Sequence, residues 1–192
     1  MRRIIALAAL LTLVTAATTL AQENPKATPP PSGERESSTR NPHAQLGITG
    51  RVYIGDLAPD FELDGSRGAP VRLSRLRGDW VLLVFAERRD EFVLLRGIES
   101  DMDQLGVRIV GVLHEKARTL DTYVARDSVP LMLADVTGEV STIYGLYDSA
   151  HRATVPGFLV LDREGTVRIA FVGKHLPPDE IARLTQFAVL GL

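Results

Sequence analysis

Hydrophobic positions along this chain fall into three regimes. An almost unbroken apolar run extends from Ile4 to about Leu20, directly after Arg2 and Arg3. From Gln22 to about Gly50 apolar residues nearly vanish among Pro25, the run Pro29-Pro30-Pro31, serines and mixed charges. Beyond that, short apolar blocks alternate with polar turns to the end.

The third regime carries the fold. "WVLLVF" (80–85) is continuously apolar and bounded by Gly78-Asp79 and by charge, the pattern of a strand buried on both faces. Leu95, Ile98, Met102 and Leu105 then recur at spacings of three and four, one face of a helix that Gly106 ends. "VRIVGVL" (107–113) is a second strand, "KARTLDTYVARD" (116–127) a second helix and "VPLMLAD" (129–135) a short extended piece. "GEVSTIYGL" (138–146) reads as a short helix ended by Gly145. "GFLVLD" and "TVRIAFVG" flank Glu164-Gly165, a tight turn for an antiparallel pair. The closing segment, 177–190, opens with prolines and acids and keeps Ile181, Leu184 and Ala188 on one face. Ahead of "WVLLVF", the alternating positions of 54–63 and 69–80 suggest a small hairpin-like entry. Strand, helix, strand, helix, hairpin and terminal helix together predict a three-layer α/β domain with a mixed central sheet.

The first regime is the pattern of a secretory leader: a basic start, an apolar stretch and small residues up to Ala21. It is a little short for a transmembrane span, so cleavage after Ala21 and no stable membrane insertion afterwards are expected. The boundaries are then signal peptide 1–21, solvated linker 22–50 and folded domain 51–192, with export to a bacterial periplasm or the extracellular space. At 192 residues, 45% hydrophobic and 24% charged, the chain is long enough for one domain with a substantial core. A formal charge of −2 offers no basic footprint for nucleic acid.

The segments "IGDLAPDFEL" and "GAPVRLSRLRGDWVLLVF", followed downstream by "DVTGEVSTIYGLYD" and "FLVLDREGTVRIAFVG", resemble the peroxiredoxins of the alkyl hydroperoxide reductase and thiol-specific antioxidant type, over about Ile54 to Gly173. The resemblance implies a thioredoxin-like fold and an antioxidant activity. It also implies a signature at the end of the first strand: a proline, a threonine or serine four residues later, and a peroxidatic cysteine three after that. On this chain those positions are Glu87, Glu91 and Leu94. Laying the thioredoxin two-cysteine pattern there instead gives Asp90 and Val93. The chain has no cysteine at all, so no other residue can serve as peroxidatic or resolving thiol.

The chemistry of the family depends on a thiolate held at a helix start by backbone N–H groups and a neighbouring arginine. Leucine has no lone pair to offer. Asp90 and Glu91 would raise the pKa of any thiol placed beside them. Within "TVPGF" (154–158), Pro156 is compatible with an ordinary trans proline opening a strand and with the cis-proline that thioredoxin-like proteins keep beside their site, which the resemblance favours. By the same resemblance Pro156 occupies the place of the family's catalytic arginine, with Arg152 four residues earlier.

Other chemistry is weakly signalled. His43, His114, His151 and His175 lack metal-ligand spacing, and no metal or cofactor is expected. His114, at the end of a strand, is the most interesting of them, because open α/β sheets bind ligands at that edge. Arg88, Arg89 and Asp90, with Arg152, Val155 and Pro156, form a candidate binding edge, although a solvated loop has the same composition. Met102 and Met132 read as core. Three functions remain open: a cysteine-free family member that binds a protein or small-molecule partner, an oxidoreductase working through a non-thiol, metal- or cofactor-assisted route, and a structural protein of the envelope. The partner's identity and a homodimer are equally open.

Overall fold

The computed structural model describes residues 48–50, 52–66, 68–127 and 130–191, all within the compact unit Thr39–Leu192. The expected leader and most of the expected linker lie outside the described residues. In chain order the elements are β1 (Ile48–Gly50), β2 (Glu62–Gly65), β3 (Pro70–Arg72), β4 (Trp80–Ala86), α1 (Asp90–Leu95), α2 (Glu99–Gln104), β5 (Val107–Leu113), α3 (Ala117–Asp127), β6 (Leu131–Ala134), α4 (Glu139–Ile143), β7 (Tyr144–Asp148), β8 (Ala153–Thr154), β9 (Gly157–Leu161), β10 (Val167–Val172) and α5 (Pro178–Leu190).

The main sheet runs β10-β9-β4-β5-β6-β2-β3. Its centre, β4-β5-β6, is parallel and every other pairing is antiparallel, so the mixed sheet expected from the sequence is present. The continuous apolar run of β4 fits this place, because alternate residues serve two different cores. Leu82, Val84 and Ala86 face Phe92, Leu95, Met102, Leu120 and Ile181 of the helices. Val81, Leu83 and Phe85 face Ala58, Phe61, Leu73, Leu76, Val140 and Tyr144 on the other side. Met102 and Met132 are fully buried, as read from the sequence. Burial of rings such as Phe85, Phe92 and Phe158 contributes roughly 1.5–3 kcal/mol each relative to exposure.

Three sequence expectations are corrected. The single helix expected after β4 is broken into α1, a 3-10 segment Arg96–Ile98 and α2. Gly97, a poor helix former, lies in the break, while Leu95, Ile98 and Met102 still reach the core. The helix expected over 138–146 ends at Ile143, and Gly145 lies inside strand β7 instead of terminating a helix. The cause is pairing: β7 takes β1 as an antiparallel neighbour, with Gly50 opposite Tyr144. Since β1 spans Ile48–Gly50, regular structure begins inside the stretch read as linker.

Two local devices fix the fold, the first beneath α1 at the site and the second at the opposite end of the sheet. The first is the close approach of α1 to β5. A Cβ at Gly111 would meet the Phe92 ring, with Cδ1 and Cζ both at 2.9 Å, so only glycine lets α1 lie this low on the sheet. The second is the β9–β10 turn, where the Asp162 carboxylate accepts the N–H groups of Glu164 at 3.0 Å and Thr166 at 2.7 Å and the Arg168 Nε at 2.7 Å. Burial acts to raise the Asp162 pKa, but these donors outweigh it and hold the carboxyl below its usual range.

Gly111→Ala is expected to cost about 1–3 kcal/mol through overpacking against Phe92, read as a lower urea midpoint; an unchanged midpoint would show that the ring yields freely. Asp162→Asn is expected to cost about 1–3 kcal/mol at neutral pH. Because the folded pKa is depressed, the stability linked to Asp162 is present above about pH 4 and is lost as pH falls through the folded value. Urea titrations across that window should therefore show the parent and Asp162→Asn converging toward low pH.

Candidate functional site

The parallel strands end together: Ala86, Leu113 and Ala134 lie side by side in register. Glu87, His114 and Asp135 are consequently the first residues beyond the carboxyl edge of the sheet, where open α/β folds present their ligand sites. The β9 strand brings Pro156 to the same edge, since Gly157 pairs with Phe85.

The turn from β4 into α1 is organised by one carboxylate. Glu91 Oε2 accepts the N–H of Glu87 at 3.1 Å and that of Arg88 at 3.4 Å. The same oxygen pairs with Nε2 of His175, which arrives from the connection between β10 and α5. Acids suit this place, because the first-turn N–H groups of a helix carry partial positive charge. Arg88 pairs with Asp90 at 3.1 Å, and Arg89 Nε approaches the other Asp90 oxygen at 3.8 Å. Leu94, which the sequence resemblance aligns with the family's nucleophile, is 63% exposed, whereas Phe92 and Leu95 are buried.

Of the residues picked out from the sequence, Glu87, Arg88, Arg89, Asp90 and Glu91 thus form one continuous cluster. Pro156 lies at the same sheet edge, its carbonyl accepting the Gly173 N–H at 2.9 Å, and the Val155 N–H donates to the Leu146 carbonyl at 2.8 Å. Arg152 belongs to the β7–β8 turn of the smaller sheet, exposed and with φ of 53°. His151 in that turn is tied to Asp148, which accepts its Nδ1 at 2.6 Å and the N–H groups of Ala150 and His151. The Ser141 hydroxyl donates to Asp135 at 2.7 Å, apart from the His151–Asp148 pair.

His114 is partly buried rather than a free loop residue. Its ring lies against Tyr147, centroids 5.9 Å apart, and Tyr147 is the cross-strand partner of Thr154. His114 Nδ1 and Thr154 Oγ1 are both buried and have no hydrogen-bond partner among the described residues. Neither Thr154 nor Tyr147 stood out in the sequence, and His175 was noted only for its lack of metal-ligand spacing. Among the described residues no three acids or histidines converge as metal ligands, and no helix is long and apolar enough to cross a membrane.

This arrangement was compared with known proteins. A family model described as the AhpC/TSA family matches residues 54–170. The chain belongs to the AhpC/TSA family. It is 33% identical over 151 residues to peroxiredoxin 2 of Thermoplasma acidophilum, an alignment covering 68% of this chain and 73% of that protein. With a peroxiredoxin of Thermoplasma volcanium it shares 32% identity over 131 residues, 61% of this chain and 64% of that protein, just under two thirds of the relative's length. Among solved structures, AhpC of Enterococcus faecalis superposes with a TM-score of 0.66 at 16% identity, covering 73% of this chain and 94% of that one. The peroxidoxin BcpB of Mycobacterium tuberculosis gives 0.64 at 22%, covering 74% and 99%. These two likenesses show the thioredoxin-like fold, and the family model carries the membership.

The Asp148–His151 pair predicts a titration. The hydrogen bond to Asp148, with that residue's charge, raises the His151 pKa above its usual value. A raised folded pKa means that the pair's small contribution to the turn is fully present below about pH 6.5 and is lost as pH rises through the folded value. Histidine ring NMR should place the His151 midpoint above the usual value and return it there in Asp148→Asn; identical midpoints in both proteins would remove the pair from the account.

Proposed function

We propose that this chain is an exported, cysteine-free member of the AhpC/TSA family that performs no thiol-peroxidase turnover and works by binding a protein or small-molecule partner at the edge formed by residues 87–94 and 154–156. One observation carries the reading: the position of the family's nucleophile holds Leu94, 63% exposed, and the chain contains no cysteine to replace it. Peroxide reduction by the family's route needs a thiolate to attack the O–O bond, and a leucine side chain has neither a lone pair nor an ionisable proton.

The turn that leads into α1 supports the same reading. In a thiol enzyme, free N–H groups at a helix start stabilise an anionic sulfur. Here the Glu91 carboxylate, in the first turn of α1, takes the N–H groups of Glu87 and Arg88 from the turn before the helix and places a negative charge one helical turn from position 94. Such a neighbour disfavours a second anion, so the site opposes the charge that peroxidase chemistry requires. What the edge offers instead is a polar rim of arginines and acids around an exposed apolar side chain, a composition suited to recognition. Export follows from the leader read over 1–21.

The test is peroxide consumption, with a thiol reductant present, by the protein beginning at Gln22 and by its Leu94→Cys variant, with bound metal quantified in both. The parent is expected to match the protein-free blank. The variant is expected to remain slow until Glu91→Gln is added, which should speed thiol alkylation at position 94 by about tenfold, the equivalent of one pKa unit. Peroxide turnover by a metal-free parent sinks the proposal.

A further inference from the structure

The connection between β10 and α5, residues 173–177, is largely exposed, yet it is fastened at two points to segments that border the site. The Gly173 N–H donates to the Pro156 carbonyl at 2.9 Å. Two residues later His175 pairs with the Glu91 oxygen that also accepts the N–H groups of Glu87 and Arg88. Beyond His175 the chain is anchored again, by Leu176 on the helix-side core and by Pro177 at the start of α5. Gly173 has a φ of 118°, a conformation that glycine adopts without strain, and it marks the point where the chain leaves β10.

Glu91 explains why these contacts act together. Its side chain is 17% exposed, so its charge is largely withdrawn from water and needs compensation. The neighbouring Arg88 guanidinium is directed to Asp90, and from outside the turn the His175 imidazole reaches Glu91 through Nε2. Removing that imidazole takes a donor from this largely buried carboxylate and favours its turning out to water, away from the two N–H groups.

We infer that residues 173–177 are a latched strap: while Glu91 and His175 are paired, the strap is held against the edge and the N–H groups of Glu87 and Arg88 are consumed, and breaking the pair releases both together. In the released state the edge presents two backbone donors that the latched state hides. The strap's use as a gate rests on the binding role proposed above, whereas the latch as a coupled unit does not, so the two are separable by experiment.

Amide hydrogen exchange of the full chain tests the latch. Both amides donate to Glu91 and His175 pairs with that same oxygen, so a change in their exchange on altering His175 reports coupling through Glu91. His175→Leu is expected to speed exchange at Glu87 and Arg88 by about tenfold and to expose the bond after Lys174 to trypsin, while Leu83 and Val110 in the central strands keep their protection. Glu91→Ala/His175→Leu should exchange no faster than the quicker single variant, the signature of one shared interaction. Parent-like exchange at Glu87 and Arg88 in His175→Leu, or independent multiplying effects in the double variant, overturns the latch. If His175→Leu also loosens Leu83 and Val110, His175→Gln decides, since it keeps a donor without a charge. Faster exchange confined to Glu87 and Arg88 then supports the latch, and parent-like exchange overturns it. Peroxide inertness is read in a separate assay and is unaffected by either result.

Discussion

The Phe92 ring rests on the backbone of Gly111, and the site's geometry follows from that contact. A ring against a bare Cα sets the height of α1 above the sheet, and the height of α1 decides where Glu91 and Leu94 stand relative to the ends of β4 and β5. With Phe92 and Leu95 turned into the core, the periodicity of the helix turns Leu94 outward. Glu91 is left facing the turn that precedes it. One aromatic contact therefore positions both residues that distinguish this chain from a thiol enzyme.

The family's scaffold and the family's thiol chemistry make different demands on a sequence. The sheet asks for apolar residues that serve two cores and for parallel strands that finish in register, and β4 to β6 supply them. The reaction asks for an anionic sulfur in a field that favours it. Here a carboxylate stands at the helix start and a hydrocarbon at the reacting position. The residues that build the fold are not those that the thiol chemistry needs, so the fold is complete in a chain without cysteine.

Much of the fold was legible in the sequence because it depends on local pattern. The apolar run of β4, the spacing of Leu95, Ile98 and Met102, and the Glu164-Gly165 turn all carry signals within a few residues. What escaped notice depends on contacts between distant segments. The β7 strand looks helical until β1 is placed beside it, and β1 lies in a stretch whose composition suggests a linker. At the site, the charged cluster 87–91 was visible as a cluster, but its link to His175 was not, because no periodicity connects a helix start to a connection near the end of the chain. The buried group of His114, Tyr147 and Thr154 is of the same kind, assembled from three elements whose sequences carry no shared mark.

The sulfur content of the domain has a consequence for its behaviour over time. A thiol enzyme of this fold alternates between reduced and oxidised forms and is inactivated when its cysteine is carried too far up the oxidation ladder. This chain has no cysteine, and Met102 and Met132 are enclosed in the core. Its folded domain therefore has no thiol to climb that ladder, and the two core methionines are shielded from oxidants in the surrounding water.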